Sequence, residues 1–370
     1  MRDTSVQTFP LDLAIQTERS KIEVHMIFPQ FISFTITNSC NLRCQMCGQW
    51  SEEGYIRSRK SPGSQMELAD WKRLVDEVAA HDVAFILIRG GEPFLFPGIV
   101  ELLEHIHSKG IYISIDTNGT RLEKYAEDIV RIGNIHMTFS VDGPEAVHDH
   151  VRGVAGCYQK TKANIALLHE LEKDSAHKIS KSICFTISRY SYKGLGAMPD
   201  VARSMLINTI SIVPYYYFPT AVGEKYAQEL REHFDCPAFS WKGFHHEESG
   251  VDFDVFRAEY RKYLENLDGI YDYPYMPLTE DDYQAWFHDA STPVGSSTCM
   301  SVEKLIDIQP NGDANFCVDF PDYCIGNAKD SSLKEIWNSP RASRFRDYRR
   351  EKPLAVCHRC GAKYMAEIKE

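Results

Sequence analysis

From residue 31 to residue 213 the chain alternates short apolar runs with longer segments whose apolar residues recur every three or four positions. The runs at 31–37, 83–88, 111–115, 135–141, 183–187 and 207–213 have the length and near-continuous apolarity of strands covered on both faces. Helical spacing fills the gaps between them. Leu68, Trp71, Leu74, Val75 and Val78 share one face, and Ser64 with Glu67 has the spacing of a capping box ahead of them. Ile99, Leu102, Leu103 and Ile106 mark a second helix closing at Gly110, and 122–130 and 158–171 mark two more. Six strands with helices between them predict a parallel α/β sheet with right-handed crossovers. Six units are two short of a closed barrel, so the pattern fits a partial (β/α)6 barrel of the TIM type or a doubly wound open sheet.

Outside that stretch the pattern changes. Residues 1–30 form a lead-in without periodicity, and Ser51 to Gly63 reads as a polar surface loop. Residues 214–298 hold 19 of the chain's 43 aromatic side chains, too apolar a segment for a disordered linker. There Phe253, Phe256, Tyr260, Tyr263, Leu264 and Leu267 share a helical face, which predicts a helical layer on the barrel, with rings such as those of Tyr215 to Phe218 covering its mouth. Residues 299–370 form a small hairpin-plus-helix unit. The hairpin turns at Asn311-Gly312, and Leu333, Ile336 and Trp337 mark the helix after Gly326-Asn327.

A net charge of −11 argues against electrostatic capture of nucleic acid. The first 25 residues lack a signal-peptide pattern, and no apolar run approaches the roughly 20 residues that span a bilayer. The expectation is a cytoplasmic protein without membrane partners, whose 11 cysteines are metal ligands before they are disulfides.

The chemistry gathers at strand ends, where parallel barrels place their sites. Cys40, Cys44 and Cys47 follow the first strand within eight residues. A [4Fe–4S] cluster takes four thiolates when protein alone holds it, so three leave one iron open. A structural zinc loop is the alternative, but no Cys or His follows until His81. Arg89-Gly90-Gly91-Glu92-Pro93 ends the second strand, with two glycines that let backbone approach a ligand and a carboxylate suited to an ammonium group. Asn118 and Ser140 close the third and fourth strands, and Arg152 follows the fourth. Cys157, Cys184 and Cys236 read as buried small hydrophobes, the His148/His150 pair as ordinary surface or core histidines, and His245-His246 as exposed. Near the C-terminus the hairpin brings Cys299 and Cys317 together, and Cys357 and Cys360 supply two more thiols, with Cys324 to spare. Ligand type alone does not separate a zinc ribbon from an iron–sulfur site here.

The Cys-x3-Cys-x2-Cys loop after a strand, with Gly-Gly-Glu-Pro one unit later, resembles the signature of the radical S-adenosylmethionine (radical SAM) enzymes. Met46 stands where that family commonly has an aromatic residue, in contact with the cofactor's adenine. The resemblance implies a partial barrel whose open iron chelates S-adenosylmethionine. Reductive cleavage then gives methionine and a 5′-deoxyadenosyl radical that takes a substrate hydrogen. It also implies cofactor contacts for Gly90, Gly91, Glu92 and Pro93 at the methionine amine, Ser140 at the ribose, Arg152 at the carboxylate, and Asn118 at cofactor or substrate.

Cys299, twelve residues, a glycine, four residues and Cys317 resemble the opening of the SPASM auxiliary domain. The ending soon after Cys360 resembles its shorter twitch variant, which implies a second [4Fe–4S] cluster on Cys299, Cys317, Cys357 and Cys360, with Cys324 as an alternate. The substrate is then a small metabolite or a peptide, and about thirty residues before the first strand leave little room for a leader-binding module. A flavodoxin- or ferredoxin-type protein is the expected electron donor, and the five arginines within 341–350 are a candidate docking face or a solvated one. The rival class is a non-catalytic iron–sulfur carrier or zinc scaffold, for which a cofactor cradle at Gly90-Gly91 has no use.

Overall fold

The structure is a computed structural model that describes residues 28–58, 65–81, 83 and 85–364. Nearly all of the 1–30 lead-in, the end of the 51–63 loop and Ser64 lie outside the described residues. The first helix, Leu68–Ala79, is capped by Glu67, whose N–H donates to the Asp70 carboxylate at 2.9 Å. The capping box therefore sits three residues later than the Ser64 spacing predicts.

The predicted strands form at β1 (Phe31–Thr37), β2 (Phe85–Gly90), β3 (Tyr112–Thr117), β4 (Ile135–Ser140), β5 (Ser180–Ile187) and β6 (Thr209–Pro214). All neighbouring pairs are parallel, and their spatial order is their chain order. A doubly wound sheet starts in the middle and reverses; this one winds in a single direction, so the partial barrel is the correct reading.

The alternation of each strand divides barrel from lumen. Ile86 and Ile88, Ile113 and Ile115, Met137 and Phe139, and Ile183 and Phe185 face outward into the main core, under helices that contribute Trp71, Leu74, Leu102 and Ile165. The opposite positions face a lumen and are mostly small and polar, including Ser114, Thr138, Ser182 and Ser211. Two barrel helices fell outside the sequence pattern: Glu145–Arg152, whose eight residues include five charged or histidine side chains, and the seven-residue Met198–Ser204.

The sheet does not stop at six strands. β7 (Tyr271–Asp272) pairs with β6, and β8 (Leu305–Ile308) pairs parallel with β1 on the other side, Phe31 opposite Leu305 and Phe34 opposite Ile308. β8 and β9 (Asp313–Asn315) form the expected hairpin, with Gly312 at φ +91°, and β10 (Gly326–Asn327) adds a third strand. The C-terminal unit is thus continuous with the barrel sheet, and the first strand is a central strand, which explains why all seven of its residues are buried.

Candidate active site

The cysteine loop leaves β1 and is pinned from two sides. Its Arg43 and Gln45 N–H groups donate to the Arg152 and Val151 carbonyls at 3.2 and 2.9 Å, at the end of helix Glu145–Arg152. On the other side Gly91 N–H donates to the Thr37 carbonyl at 2.7 Å and Glu92 N–H to the Ser39 carbonyl at 2.8 Å. A Cβ on Gly91 would stand 2.3 Å from that Ser39 oxygen, so the second glycine is required by the approach of two backbones.

The three thiols of the loop are destabilised as anions by burial, which pushes Cys40 up to about 11 and Cys44 up to about 12; Cys47 repels both. Arg152 acts against that rise at Cys44, with Nη1 3.7 Å from its sulfur. Buried, mutually repelling thiols are the donor set that a multiply charged iron cluster satisfies. Among the described residues no three Cys, His, Asp or Glu side chains converge on a point that one metal ion would fill. A four-iron cube, with each thiolate on its own iron, needs no such convergence.

A cavity of about 500 Å³ opens beneath the loop, in the lumen. Met46, Gly90, Gly91, Asn118, Ser140 and Arg152 line it together with all three cysteines. Arg152 is ion-paired to Asp142 at 2.6 Å, and its Nε is buried with no partner, an unspent donor on a lumen-lining side chain. Glu92 and Pro93 do not line the cavity. The Glu92 carboxylate turns into the protein, where it accepts from Thr117 Oγ1 at 2.8 Å, Asn118 N–H at 2.9 Å and Phe94 N–H at 3.3 Å. Burial raises it to about 7 against those three donors. Its place is to fix the end of β3, and Pro93 starts the short helical turn Pro93–Leu95.

The lumen holds two residues the sequence pattern does not assign to it, Arg89 and Cys184, and takes only half of the expected Tyr215 to Phe218 set. Arg89, with Asp116 across from it on β3, pairs with Asp319 at 3.3 Å; burial alone would lower its pKa, but Asp319, Asp116 and Asp307 hold it charged. Cys184, read as a packed hydrophobe, lines the lumen instead. Tyr215 and Tyr216 reach the cavity, whereas Tyr217 and Phe218 are buried in the core away from it; Phe244, Tyr273 and Tyr275 complete the aromatic wall. Strand alternation puts Arg89 and Cys184 inward once register is known, but the wall comes from segments distant in sequence.

The C-terminal thiols separate into two groups. Burial destabilises the Cys317 anion, and Cys357, Cys299 and Cys360 repel it, in that order. Cys324 is elsewhere, with its thiol donating to the Gly326 carbonyl at 3.1 Å and neighbouring Asp313 and Cys236. All five arginines are engaged: Arg341 on the Cys324 carbonyl, Arg344 over Phe234, Arg346 over Trp337, Arg349 on the Lys352 carbonyl, and Arg350 on Glu303 at 2.7 Å. Among the histidines, His148 is buried against Asp142 N–H, and His245 and His246 are half-buried rather than exposed, packed beside Glu247 and Tyr215 respectively.

The profile of the Radical SAM superfamily matches residues 34–186, the strands that carry the first three cysteines and the Gly-Gly turn. The chain belongs to the radical SAM superfamily. The SPASM iron–sulfur cluster-binding domain matches residues 299–361, which hold the second group of thiols. A radical SAM domain joined to a SPASM domain implies S-adenosylmethionine and two [4Fe–4S] clusters as cofactors. The chain is 24% identical to an AdoMet-dependent heme synthase of Methanosarcina barkeri (strain Fusaro / DSM 804) over 53% of each chain. It therefore spans about half the length of that relative. It is 24% identical to the Fe-coproporphyrin III synthase of the same organism over 88% of this chain and 78% of the other. It is 23% identical to the antilisterial bacteriocin subtilosin biosynthesis protein AlbA of Bacillus subtilis (strain 168), over 91% of this chain and 67% of AlbA. In fold it is similar to SuiB of Streptococcus suis bound to S-adenosylmethionine, with TM-score 0.60, 17% identity and coverage of 91% of this chain and 72% of SuiB. It is also similar to anSMEcpe with bound AdoMet and the Cp18Cys peptide, at TM-score 0.58, 16% identity and coverage of 91% and 87%. Among the described residues no helix is long and apolar enough to cross a membrane.

Proposed function

We propose that this radical SAM enzyme is an oxidoreductase acting on a peptide side chain held in the lumen, with the SPASM cluster completing the oxidation. The observation that carries this reading is the continuity of one cavity: it touches Cys40, Cys44 and Cys47 at one end and Val318, Asp319 and Ala362, beside Cys317 and Cys360, at the other. When bound, the first cluster and S-adenosylmethionine supply a 5′-deoxyadenosyl radical able to take a hydrogen from carbon.

The chain's own residues bind and orient. Cys40, Cys44 and Cys47 hold the first cluster and leave one iron to the cofactor. Backbone at Gly90 and Gly91 cradles the methionine amine, and Glu92 keeps that turn in place from behind. Ser140 faces the ribose, Asn118 the cofactor or substrate, and the unspent Nε of Arg152 is offered to the cofactor carboxylate. Met46 packs on the adenine. Cys299, Cys317, Cys357 and Cys360 hold the second cluster, and the aromatic wall of Tyr215, Tyr216, Phe244 and Tyr275 keeps water from the reacting carbon.

Volume favours a side chain over a large ring system. Cavities of about 300–1,000 Å³ hold one drug-sized ligand. A lumen of about 500 Å³ that already takes S-adenosylmethionine has room left for a side chain or a similarly small metabolite, not for a second large molecule. AlbA and SuiB, one named for bacteriocin biosynthesis and the other also seen with a precursor peptide, agree with a peptide. Reduced, reconstituted protein incubated with S-adenosylmethionine should release 5′-deoxyadenosine, which an electron carrier or zinc scaffold would not do. Mass spectrometry of a peptide encoded beside the gene should then find hydrogen lost from one residue; an unaltered peptide alongside an oxidised small metabolite would overturn the substrate class.

A further inference from the structure

Arg349 is the one buried arginine of the helix Pro340–Glu351, on the inward face with Ala342 and Phe345. It is 5% exposed, its Nη1 donates to the Lys352 carbonyl, and it forms no ion pair with another described residue. An unpaired buried guanidinium is costly, and proteins keep buried charge only where something of opposite sign answers it. Here that something is the second cysteine group: Cys299 shares a small cavity of about 190 Å³ with Arg349, and Cys357, Cys299, Cys317 and Cys360 all hold the guanidinium charged. A second basic side chain, Lys363, is equally buried and donates to the Val294 carbonyl at 2.5 Å; burial lowers its pKa, and neighbouring Cys360, Cys357 and Cys299 act against that fall. Other charged groups lie close. Glu303, Arg350, Glu351 and Lys352 line the same small cavity, where Glu303 is paired with Arg350 at 2.7 Å. Asp319 faces Cys360 but is already paired with Arg89, and Arg359 spends its donors on the carbonyls of Ala285, Trp286, Asp289 and Thr292.

We propose that Arg349, seconded by Lys363, is the fixed counter-charge of the auxiliary cluster and holds its reduction potential up. Each electron added makes such a cluster more negative, and net charge with local electrostatics sets its potential. Two buried cations in a low-dielectric setting act on that added charge at close range. They make the centre easier to reduce, so it is suited to accept an electron and poorly suited to donate one. Neither side chain is a ligand; both act through the four thiolates, as positioning charges.

The inference rests on Cys299, Cys317, Cys357 and Cys360 holding a cluster, so iron and sulfide are counted first in the unaltered protein. A count sufficient for one cluster only would remove the assignment of those cysteines. With two clusters present, an EPR-monitored redox titration of the full-length, reconstituted protein tests the inference itself. Arg349→Gln should move the auxiliary potential to more negative values, Lys363→Gln should move it less in the same direction, and Arg349→Lys should stay near the unaltered protein. The potential of the first cluster should be the same in all four. An auxiliary potential that does not move in Arg349→Gln, or that moves as far in Arg349→Lys, overturns the inference. If Arg349→Gln assembles no auxiliary cluster, assembly in Arg349→Lys supports a role for charge, and failure in both refutes it.

Discussion

Arg89, near the end of the second barrel strand, is paired at 3.3 Å with Asp319, two residues beyond an auxiliary cysteine. This single contact ties the cofactor side of the lumen to the SPASM hairpin. Tyr216 and Tyr275 stand beside it, each kept protonated by burial and then by Asp319 and Cys360. The Tyr216 hydroxyl also accepts from Gly361 N–H at 2.9 Å, next to Cys360. Arg89 and Asp319 both line the cavity that runs from the first cysteine loop toward Cys317 and Cys360.

Asp319→Asn should separate binding geometry from cluster assembly. Both side chains are about one-quarter exposed, so the loss in stability should be modest, roughly 1–2 kcal/mol. Arg89 keeps Asp116 and Asp307 as neighbours. Misplacing a substrate by a fraction of an ångström costs far more, and product formation should fall roughly tenfold to a hundredfold. Iron content and substrate-free cleavage of S-adenosylmethionine should be unchanged. Loss of either cluster in this variant would show that Asp319 is structural.

The cysteines should fall into three classes under alanine substitution. Changing Cys40, Cys44 or Cys47 should remove about four irons per chain and abolish release of 5′-deoxyadenosine. Changing Cys317 or Cys357 should remove about four irons while cleavage of S-adenosylmethionine persists and substrate oxidation stops. Cys324→Ala should keep both clusters, since its thiol donates to the Gly326 carbonyl and lies away from the other four. Iron and sulfide counts on the purified, reconstituted variants decide all three, and a Cys324 variant short of a cluster would reassign the ligands.

What the sequence made legible follows from what each feature depends on. Strands and the first cysteine loop depend on neighbours in the chain, so periodicity and spacing found them. The choice between barrel and doubly wound sheet depends on strand order, which periodicity does not contain; only the unbroken order from β1 to β6 decides it. Glu92 was visible as a carboxylate beside two glycines, but its direction was not. It turns inward because Thr117 and Asn118, from the next strand, offer it donors. The spare Cys324 illustrates the same limit: spacing counts thiols, and only the packing of β9 and β10 sets this one apart from the other four.

Gly91→Ala should damage the site without touching a ligand. The new Cβ would lie 2.3 Å from the Ser39 carbonyl oxygen and 2.7 Å from that of Asn38, both backbone atoms at the root of the cysteine loop. Relief requires the loop to move off the strand end, losing the Gly91–Thr37 and Glu92–Ser39 bonds that hold it. Overpacking of this kind costs about 1–3 kcal/mol. The expected result is a folded protein, normal by far-UV circular dichroism, that binds S-adenosylmethionine weakly and keeps its auxiliary cluster. Unimpaired binding by isothermal titration would mean the loop tolerates the displacement.

Glu92 predicts a pH dependence with a defined sign. Burial raises its carboxyl to about 7 in the folded protein, although Asn118, Thr117 and Phe94 all donate to it. An unfolded glutamate titrates near 4.3. Below that value both states hold the proton and nothing is gained or lost. Between roughly 4.3 and 7 the unfolded chain has released the proton while the folded one retains it, so stability must fall as pH rises through this window, by up to roughly 4 kcal/mol. Asp307, raised to about 6 by burial against Arg89 and its hydrogen bonds, adds a slope of the same sign. The informative quantity is therefore the difference between the unaltered protein and Glu92→Gln. The amide turns one acceptor into a donor facing Asn118 N–H, a cost that does not vary with pH. Urea unfolding at pH 5.5 and at pH 8 should show the gap between the two proteins closing as pH rises, because only the carboxyl loses its advantage. Parallel curves would place the Glu92 carboxylate in its ionised form throughout, held there by the three donors that surround it.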